Sequence, residues 1–347
     1  MHLDNNQRLA ILLHEGIRGP NGKTGLTLLR YSEAQIVAVI DQECVGESLS
    51  QLTGIACDAP IVDSVTSALA YEPDVLAIGI APSGGILPEA WWQEVKQGVA
   101  AGLSVINGLH TPMAPDPQLQ ALLKDGQEIW DIRQEPAGLI VGSGKARTLS
   151  SRRILTVGTD MSVGKMSASL ELYRAARRRG IRSKFLATGQ AGIMIAGDGI
   201  PLDAIRVDFA AGAVEQLLMR SGNDYELLIV EGQGSLLHPG STATLPLIRG
   251  TQPTGLMLVH RAGQSHVRNH DHVPIPPLLE VIRLYEAVAC GGGAFGVVRV
   301  KAIALNTGHL EEAAAQKAIA QVQEETGLPC TDAVRFGADL LLEAVIN

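Results

Sequence analysis

A glycine-rich turn that contains a lysine, GTDMSVGKMS at residues 158–167, is the clearest chemical signal in the sequence. The apolar run at 154–157 precedes this turn, and a segment rich in Ala, Leu and Arg follows it, which predicts a strand, a loop and a helix. Such a loop can direct successive backbone N–H groups inward, while the helix N-terminus adds a partial positive charge and Lys165 a full one. The turn therefore predicts a phosphoanhydride site. The phosphate-binding residues expected here are Gly158, Thr159, Asp160, Ser162, Val163, Gly164, Lys165, Met166 and Ser167.

The turn departs from the common pattern G-x-x-x-x-G-K-[ST] in two respects. Its glycines are one residue further apart, and Met166 stands where a hydroxyl would hold Mg²⁺. Ser167 comes next, but one helical step rotates it by about 100°. A purely structural alternative is that Gly158, Gly164 and Lys165 only turn a strand into a helix.

A carboxylate follows a second apolar run. ELLIVEGQGSL at 226–236 predicts a strand that ends in Glu231, with Gln233 between two glycines. An acid at the carboxyl end of a strand beside a phosphate loop can hold Mg²⁺ or orient a reacting group. Glu231 is thus a candidate catalytic residue, and a metal ligand only if ATP and Mg²⁺ bind, while Gln233 is a candidate substrate contact.

The segment 260–272, HRAGQSHVRNHDH, follows the apolar run GLMLV and is expected to be a loop at a strand end. Arg261 and Arg268 could clamp a carboxylate in bidentate fashion. A proton could be moved by His260, His266 or His270. A metal site and a merely solvated loop are the alternatives, because the spacing matches no tight ligand set.

Residues 188–209 are rich in glycine, and we expect a long loop rather than a helix there. Gln190 and Asp208 are candidate substrate contacts at the carboxyl edge of a sheet. Asp208 is equally suited to cap the helix that follows it.

The N-terminal half contains short apolar runs at 8–14, 34–41, 74–81 and 103–109, separated by segments with helical spacing. A second glycine turn lies after the first run, with Gly16, Gly19, Gly22, Lys23 and Thr24 as candidate phosphate contacts. It resembles the turn of CoA-binding Rossmann domains in succinyl-CoA synthetase more than the dinucleotide fingerprint, although Asp41 stands where a ribose-binding acid would fall. A further turn, APSGGILP at 81–88, could line the same crevice. A glycine-rich connection without a ligand is the alternative.

Alternation of strands and helices predicts an α/β fold with two doubly wound domains and mostly parallel sheets. The length of the chain, 347 residues, suggests two domains. A content of 46% hydrophobic residues with only 3% aromatics suits sheets filled with Val, Ile, Leu and Ala. The expected domains are 1–145 and 146–347. Before the boundary, 113–136 should form a linker with one short helix and one strand, IWDIR.

Charge and cysteine content narrow the possible partners and compartment. A net charge of −8 without a Lys/Arg-rich tract argues against nucleic acid. The four cysteines show no C-x-x-C pairing, and neither a signal core nor a membrane-length apolar run is apparent. We expect a cytoplasmic homo-oligomer that acts on a small molecule.

Two resemblances extend these predictions. GTDMSVGK, VEGQG and the run ending in Asn306 resemble dethiobiotin synthetase and its cobyrinate-amidating relatives, which implies a P-loop NTPase-like domain in which Asn306 faces the nucleotide base or the acceptor. The ordered set EGIRGPNGKTG, GTDMSVGKMS, TGQAGIMIAG, VEGQGSLLHPG and ALNTGHL resembles a family, long known only as a domain of unknown function, that includes D-glutamate N-acetyltransferases. This second resemblance implies a Rossmann-like domain, a P-loop domain and acetyl transfer from acetyl-CoA to a D-amino acid.

Three functions therefore remain open. An acetyltransferase would use acetyl-CoA and split no triphosphate. A carboxylate ligase or amidating synthetase would use ATP and Mg²⁺ at 158–167, although Met166 removes a metal ligand. A nucleotide-sensing regulator is the third possibility.

Overall fold

Apolar runs rich in Val, Ile, Leu and Ala form most of the strands of this α/β protein. The computed structural model describes residues 3, 5–82 and 85–347. The strands are β1 (Arg8–Leu12), β2 (Gln35–Ile40), β3 (Ile61–Val62), β4 (Val75–Ile78), β5 (Ser104–Asn107), β6 (Ile129–Asp131), β7 (Arg152–Gly158), β8 (Ser183–Leu186), β9 (Leu227–Val230), β10 (Gly255–Arg261), β11 (His266–Val267), β12 (His270–Pro274), β13 (Val300–Asn306) and β14 (Cys330–Thr331).

Helices connect most of these strands. They are α1 (Lys23–Tyr31), α2 (Leu49–Thr53), α3 (Val65–Ala68), α4 (Glu89–Ala101), α5 (Pro117–Leu122), α6 (Lys165–Arg178), α7 (Gln190–Ala196), α8 (Val207–Ser221), α9 (Thr244–Thr251), α10 (Leu278–Cys290), α11 (Glu312–Thr326), α12 (Ala333–Phe336) and α13 (Asp339–Ile346). Short 3-10 helices lie at Leu69–Tyr71, Lys145–Thr148, Leu202–Ala204 and Gly291–Gly293.

An N-terminal unit comprises Met1–Gln134 together with Gln190–Pro201. Its six strands pair in parallel in the order β3-β2-β1-β4-β5-β6, the order of a doubly wound nucleotide-binding sheet. The central strands are buried along almost their whole length, since helices cover both faces of such a sheet. Helix α1 approaches β4 so closely that the Gly25 amide donates to the Gly79 carbonyl at 2.8 Å.

A C-terminal unit comprises Glu135–Gly189 and Leu202–Asn347. Its six strands are also parallel, in the order β14-β13-β10-β7-β9-β8, and β11 and β12 form a separate antiparallel hairpin. Strand β7 lies between β9 and β10, so the loops after these three strands emerge side by side at one edge. The carboxyl edge at such a central strand is where open α/β sheets bind ligands.

The two parallel sheets confirm the predicted fold class, and the linker contains the expected short helix, α5, and strand, β6. The predicted loop at 188–209 is wrong, because α7 and the start of α8 lie within it. Helix α7 buries Ile193 and Met194 and packs against α1, and burial of this apolar face outweighs the cost of Gly192. No helix in the described part of the chain is both long and apolar enough to cross a bilayer.

Candidate active site

The turn after β7 is shaped as a phosphate cradle. β7 ends at Gly158 and α6 begins at Lys165. Ser162 and Gly164 between them have φ values of 58° and 111°, and the second is a conformation that favours glycine. Among the described residues no side chain caps the N-terminus of α6, so its first-turn N–H groups remain available for an anion.

Lys165 lies across this loop. Its side chain is 6% exposed, and Nζ donates to the carbonyl oxygen of Asp160 at 2.8 Å. A Cβ at position 158 would lie 3.0 Å from the same Nζ, so Gly158 leaves room for the ammonium group. The predicted positive charge therefore stands at the centre of the cradle.

Asp160 is part of the loop but its carboxylate is directed at another segment. Oδ2 accepts hydrogen bonds from Gln264 Nε2 and from the Arg268 backbone N–H, both at 2.7 Å, and Oδ1 accepts from the Met161 N–H at 2.6 Å. These bonds satisfy a fully buried charge. Asp160 thus ties the phosphate loop to the connections before and after β11, a role that the sequence did not reveal.

His260 is buried next to the phosphate loop, and it also lines a cavity of about 480 Å³ beside the start of α10. It belongs to β10, as does Arg261, so the loop expected to start at residue 260 begins only after residue 261, and β11 and β12 occupy part of the rest. His260 Nδ1 lies 2.9 Å from Thr159 Oγ1, and burial lowers the pKa of His260 from 6.5 to about 4. The imidazole is consequently neutral near pH 7 and a weak base.

The carboxylate of Glu231 is held by the adjoining backbone. It is 3% exposed, and Oε2 accepts from the N–H groups of Thr188 at 2.9 Å and Gly189 at 3.1 Å. Gln233 Nε2 donates to Oε1 at 3.2 Å. Glu231 and Gln233, both predicted site residues, therefore form one network that fixes the turn after β9 against the end of β8.

The same residues do not fit Mg²⁺ bound in the manner of P-loop NTPases. Met166 offers a buried thioether where an oxygen ligand is needed, and the oxygens of Glu231 already accept hydrogen bonds. In the part of the chain that the structure describes, no group of three His, Cys, Asp or Glu residues is arranged to hold a metal ion.

The side chains of Asn306 and Tyr285 donate hydrogen bonds to backbone carbonyls of the phosphate loop. Asn306 ends β13, and its Nδ2 donates to the Val163 carbonyl at 3.0 Å, which commits the amide to the loop. The Tyr285 hydroxyl donates to the Gly158 carbonyl at 2.7 Å and accepts from the Leu236 N–H at 3.1 Å. Tyr285 is fully buried on α10 and carried no sequence signal beyond its apolar setting.

A cavity of about 330 Å³ opens beside the phosphate loop. It is lined by Asp160, Met161, Ser162, Arg261, Ala262, Gly263, Gln264, His266, Val267, Arg268, Asn269, Asp271 and His309. The structure thus brings both predicted arginines and one predicted histidine, His266, to the loop. Both arginines are exposed at the surface.

His309 also lines this cavity and was not among the predicted residues, although it belongs to the segment ALNTGHL. Its Nε2 lies 3.1 Å from the carbonyl oxygen of Ala262. A carbonyl only accepts, so Nε2 carries the proton and Nδ1 of the neutral ring carries a lone pair. His309 can therefore accept a proton at Nδ1.

The remaining candidates lie elsewhere. The rings of His270 and His238 meet edge to face, with their centroids 4.8 Å apart, and His270 does not line the cavity beside the loop. Asp208 was a possible N-cap, which is wrong: α8 starts at Val207, and Arg206 occupies the N-cap position. Asp208 lines a different cavity, and Gln190 begins α7 in the N-terminal unit. Ser167 lies within the first turn of α6, half-buried.

The glycine turn of the N-terminal unit is closed on itself. A Cβ at Gly22 would lie 2.0 Å from the Gly16 carbonyl oxygen, and one at Gly19 would lie 2.1 Å from that of Glu15. The Asp41 carboxylate accepts hydrogen bonds from the backbone N–H groups of Glu15 and Ile17 in the same turn, both at 3.3 Å.

Because Asp41 already occupies N–H groups of this turn, the arrangement favours a connection without a ligand. Lys23 is exposed at the start of α1, and Thr24 is buried. The turn predicted at 81–88 includes residues 83 and 84, which lie outside the described residues.

Comparisons with known proteins agree with this architecture. A model of a domain of unknown function, the DUF1611 P-loop domain, matches residues 140–342, and its Rossmann-like N-terminal partner matches residues 42–135. D-glutamate N-acetyltransferases from Tritonibacter scottomollicae and a Pseudoalteromonas species are 36% and 32% identical, over 81% and 80% of this chain and 84% and 83% of theirs. The crystal structure of a DUF1611 family protein from Anabaena variabilis has 68% identity and a TM-score of 0.95, and the match covers 98% of this chain and 99% of that one.

Proposed function

Because this chain belongs to the DUF1611 family, we propose that it is an N-acetyltransferase that moves the acetyl group of acetyl-CoA onto the amine of D-glutamate. Two relatives that align over about four fifths of the chain are D-glutamate N-acetyltransferases, which supports the reaction and the acceptor. The donor is our inference from the name of the reaction and from the phosphate cradle at 158–167.

The cavity beside the loop is the observation that carries the assignment of the acceptor site. Glutamate presents two carboxylates at neutral pH, and recognition of both requires separated cations. Arg261 and Arg268 line the cavity, and guanidinium groups suit carboxylates because two parallel N–H donors match two oxygens. We assign one carboxylate to each arginine.

The chemistry requires one proton to leave the ammonium group before reaction. The free amine then attacks the thioester carbonyl, the C–N bond forms, the C–S bond breaks and the thiolate of CoA leaves and takes up a proton. Nδ1 of His309 and the ring of His266 are the bases in the cavity, whereas His260, with its pKa of about 4, is suited to position Thr159. We favour His309, because its hydrogen bond to Ala262 fixes the tautomer.

The phosphate loop would hold the donor. Lys165 and the first-turn N–H groups of α6 form a cationic cradle that suits the phosphates of CoA. The loop and the acceptor cavity share Asp160, Met161 and Ser162 as wall residues, so donor and acceptor would meet at this wall.

Acetyl-CoA supplied with D- and L-forms of glutamate, aspartate and alanine tests the proposal. We expect release of free thiol with D-glutamate, together with a product heavier than the substrate by one acetyl group. Arg268→Gln and Arg261→Gln should raise KM for D-glutamate about tenfold each and change kcat less, since they remove binding of the carboxylates. Arg283→Gln, an exposed change outside the cavity, is the matched control.

The synthetase alternative predicts a different pattern. ADP formed from ATP and Mg²⁺ in the presence of an acidic amino acid, with no thiol released from acetyl-CoA, would refute acetyl transfer. Glu231→Gln separates the two further: in a ligase it should abolish stimulation by Mg²⁺, whereas in an acetyltransferase it should alter turnover without creating a metal dependence.

A further inference from the structure

Arg153, near the start of β7, is a buried cation. Its side chain is 5% exposed. Nε donates to the Gln252 carbonyl at 2.9 Å, and Nη1 donates to the carbonyls of Leu149 and Ser151 at 2.9 and 2.7 Å. Among the described residues no carboxylate pairs with it, and burial alone lowers its pKa.

The third nitrogen of this guanidinium group is Nη2. In the described part of the chain Nη2 makes no hydrogen bond, although two of the five N–H groups of arginine lie on it. Carbonyl dipoles offset only part of a buried positive charge, and the rest is left to solvent or to a ligand in the adjoining cavity.

Arg153 forms part of the wall of a cavity of about 390 Å³. Its lining is Arg147, Arg153, Gln252, Pro253, Thr254, Ala289, Phe295, Gly296, Val297 and Val298. Two of these residues are arginines, none of the described lining residues is acidic, and the remaining wall is mostly apolar. Its volume falls in the range of small-molecule sites, and such sites combine an apolar wall with a few charged groups.

Arg147 is placed to complete a clamp. Its guanidinium lies 5.7 Å from the centre of the Phe295 ring, and Nη2 donates to Gln252 Oε1 at 3.3 Å. Gln252 also accepts from Arg153 through its carbonyl, so one residue holds both arginines at the same cavity. Val297, 77% exposed, and Phe295 supply an apolar side.

This cavity is separate from the phosphate loop. Arg153 lies at the beginning of β7 and Gly158 at its end, so about 16 Å of extended strand separates them. The cavity therefore belongs to the amino edge of the sheet, opposite the candidate active site.

We propose that this cavity is a second anion site, in which Arg153 and Arg147 bind the carboxylate or phosphate head of a small organic anion whose apolar part packs on Phe295 and Val297. The head supplies the negative charge that Arg153 lacks, and the tail covers an exposed apolar wall. The position suits an effector of the enzyme rather than a reactant, because no proposed catalytic side chain lies there.

Isothermal titration of the full-length protein with hexanoate, n-butyl phosphate and inorganic phosphate tests this site. We expect saturable binding of one of the two amphiphilic anions, tighter than that of inorganic phosphate, and the better of the two identifies the head group. Arg147→Gln and Val297→Asp should each weaken it about tenfold or more, since one removes a cation and the other adds a repelling charge at the cavity. Both positions are exposed, so folding should be retained. Arg152→Gln, which removes an exposed charge beside Arg153 on the other face of β7, should bind normally.

Two results would overturn the proposal. Absence of saturable binding of either amphiphilic anion at 10 mM would leave Arg153 a structural residue that holds the carbonyls of Leu149, Ser151 and Gln252. Binding that survives Arg147→Gln and Val297→Asp but is lost in Lys165→Ala would assign the anion to the phosphate loop.

Discussion

Two opposite charges share the phosphate loop, and hydrogen bonds direct them to different sides. Lys165 Nζ binds the carbonyl oxygen of Asp160, whereas the Asp160 carboxylate accepts from Gln264 and Arg268. The cradle therefore presents a cation, although an acid is only five residues away in sequence. This arrangement explains how an aspartate is compatible with an anion site.

Replacing Lys165 with alanine should weaken binding of the phosphorylated ligand by about 2–3 kcal/mol, the scale of a charge-assisted hydrogen bond, without unfolding the protein. Titration with acetyl-CoA measures the loss. Lys23→Ala, in the glycine turn of the N-terminal unit, is the matched control and should bind as wild type. Loss of binding in Lys23→Ala alone would move the ligand to the N-terminal turn.

His260 makes stability depend on pH. Its folded pKa, about 4, lies below the unfolded value of 6.5, so between these values the unfolded chain binds more protons. The contribution of His260 to the free energy of unfolding is therefore fully present above pH 6.5 and is lost as the pH drops toward 4.

We expect the free energy of unfolding of the wild type, measured by urea denaturation, to fall by about 2 kcal/mol more than that of His260→Asn between pH 7.5 and pH 5. His309→Asn, at an exposed position, should follow wild type. Parallel pH curves for wild type and His260→Asn would show that this histidine is not the titrating group.

At the scale of elements, the turn at residues 143–145 surrounds the carboxylate of Glu215, which lies on α8. Glu215 accepts from the backbone N–H groups of Ser143 and Lys145, and from the Ser143 hydroxyl at 2.7 Å. SGK in this segment therefore resembles an anion-binding turn in sequence, but a residue of the chain itself fills it. The contact fixes the start of the C-terminal unit against α8.

This contact should respond to acid. Burial raises the pKa of Glu215, but the hydrogen bonds from Ser143, Lys145 and Gly144 outweigh burial, and the pKa lies below its ordinary value of 4.5. The stabilisation is then present above pH 4.5 and is lost as the pH falls through the folded pKa.

Glu215→Gln should lower the free energy of unfolding by about 1–3 kcal/mol at pH 7, and the difference from wild type should shrink below pH 4.5. Glu226→Gln, an exposed acid that pairs with Arg182, should cost less than about 1 kcal/mol. An equal cost for both variants, unchanged by pH, would contradict the role of the turn.

At the scale of the whole molecule, local signals were predictable and distant contacts were not. Gly158, Gly164 and Lys165 lie within eight residues, so their pattern alone predicts a strand, a cradle and a helix. The tie from Asp160 to Arg268 spans 108 residues, and the place of His309 depends on Ala262, 47 residues away. Helix α7 was missed for the same reason, since its apolar face is stabilised by α1, far earlier in the chain.

The N-terminal unit is discontinuous, which has a measurable consequence. α7 belongs to it although the chain on both sides belongs to the C-terminal unit. Met194 is fully buried, and a Cβ at Gly108 would lie 2.8 Å from its Cε, so Gly108 forms part of the pocket for this side chain. A fragment of residues 1–134 would leave that pocket and the facing side of α1 in water.

Joining residues 190–201 to this fragment through a flexible linker of about 20 residues should raise its free energy of unfolding by about 3 kcal/mol or more, because Ile193 and Met194 are buried again. Urea denaturation followed by circular dichroism measures the gain. The same joined fragment with Met194→Asp should lose it, since a carboxylate has no partner in that pocket. If the fragment of residues 1–134 is as stable alone as with the joined helix, α7 does not complete the N-terminal unit.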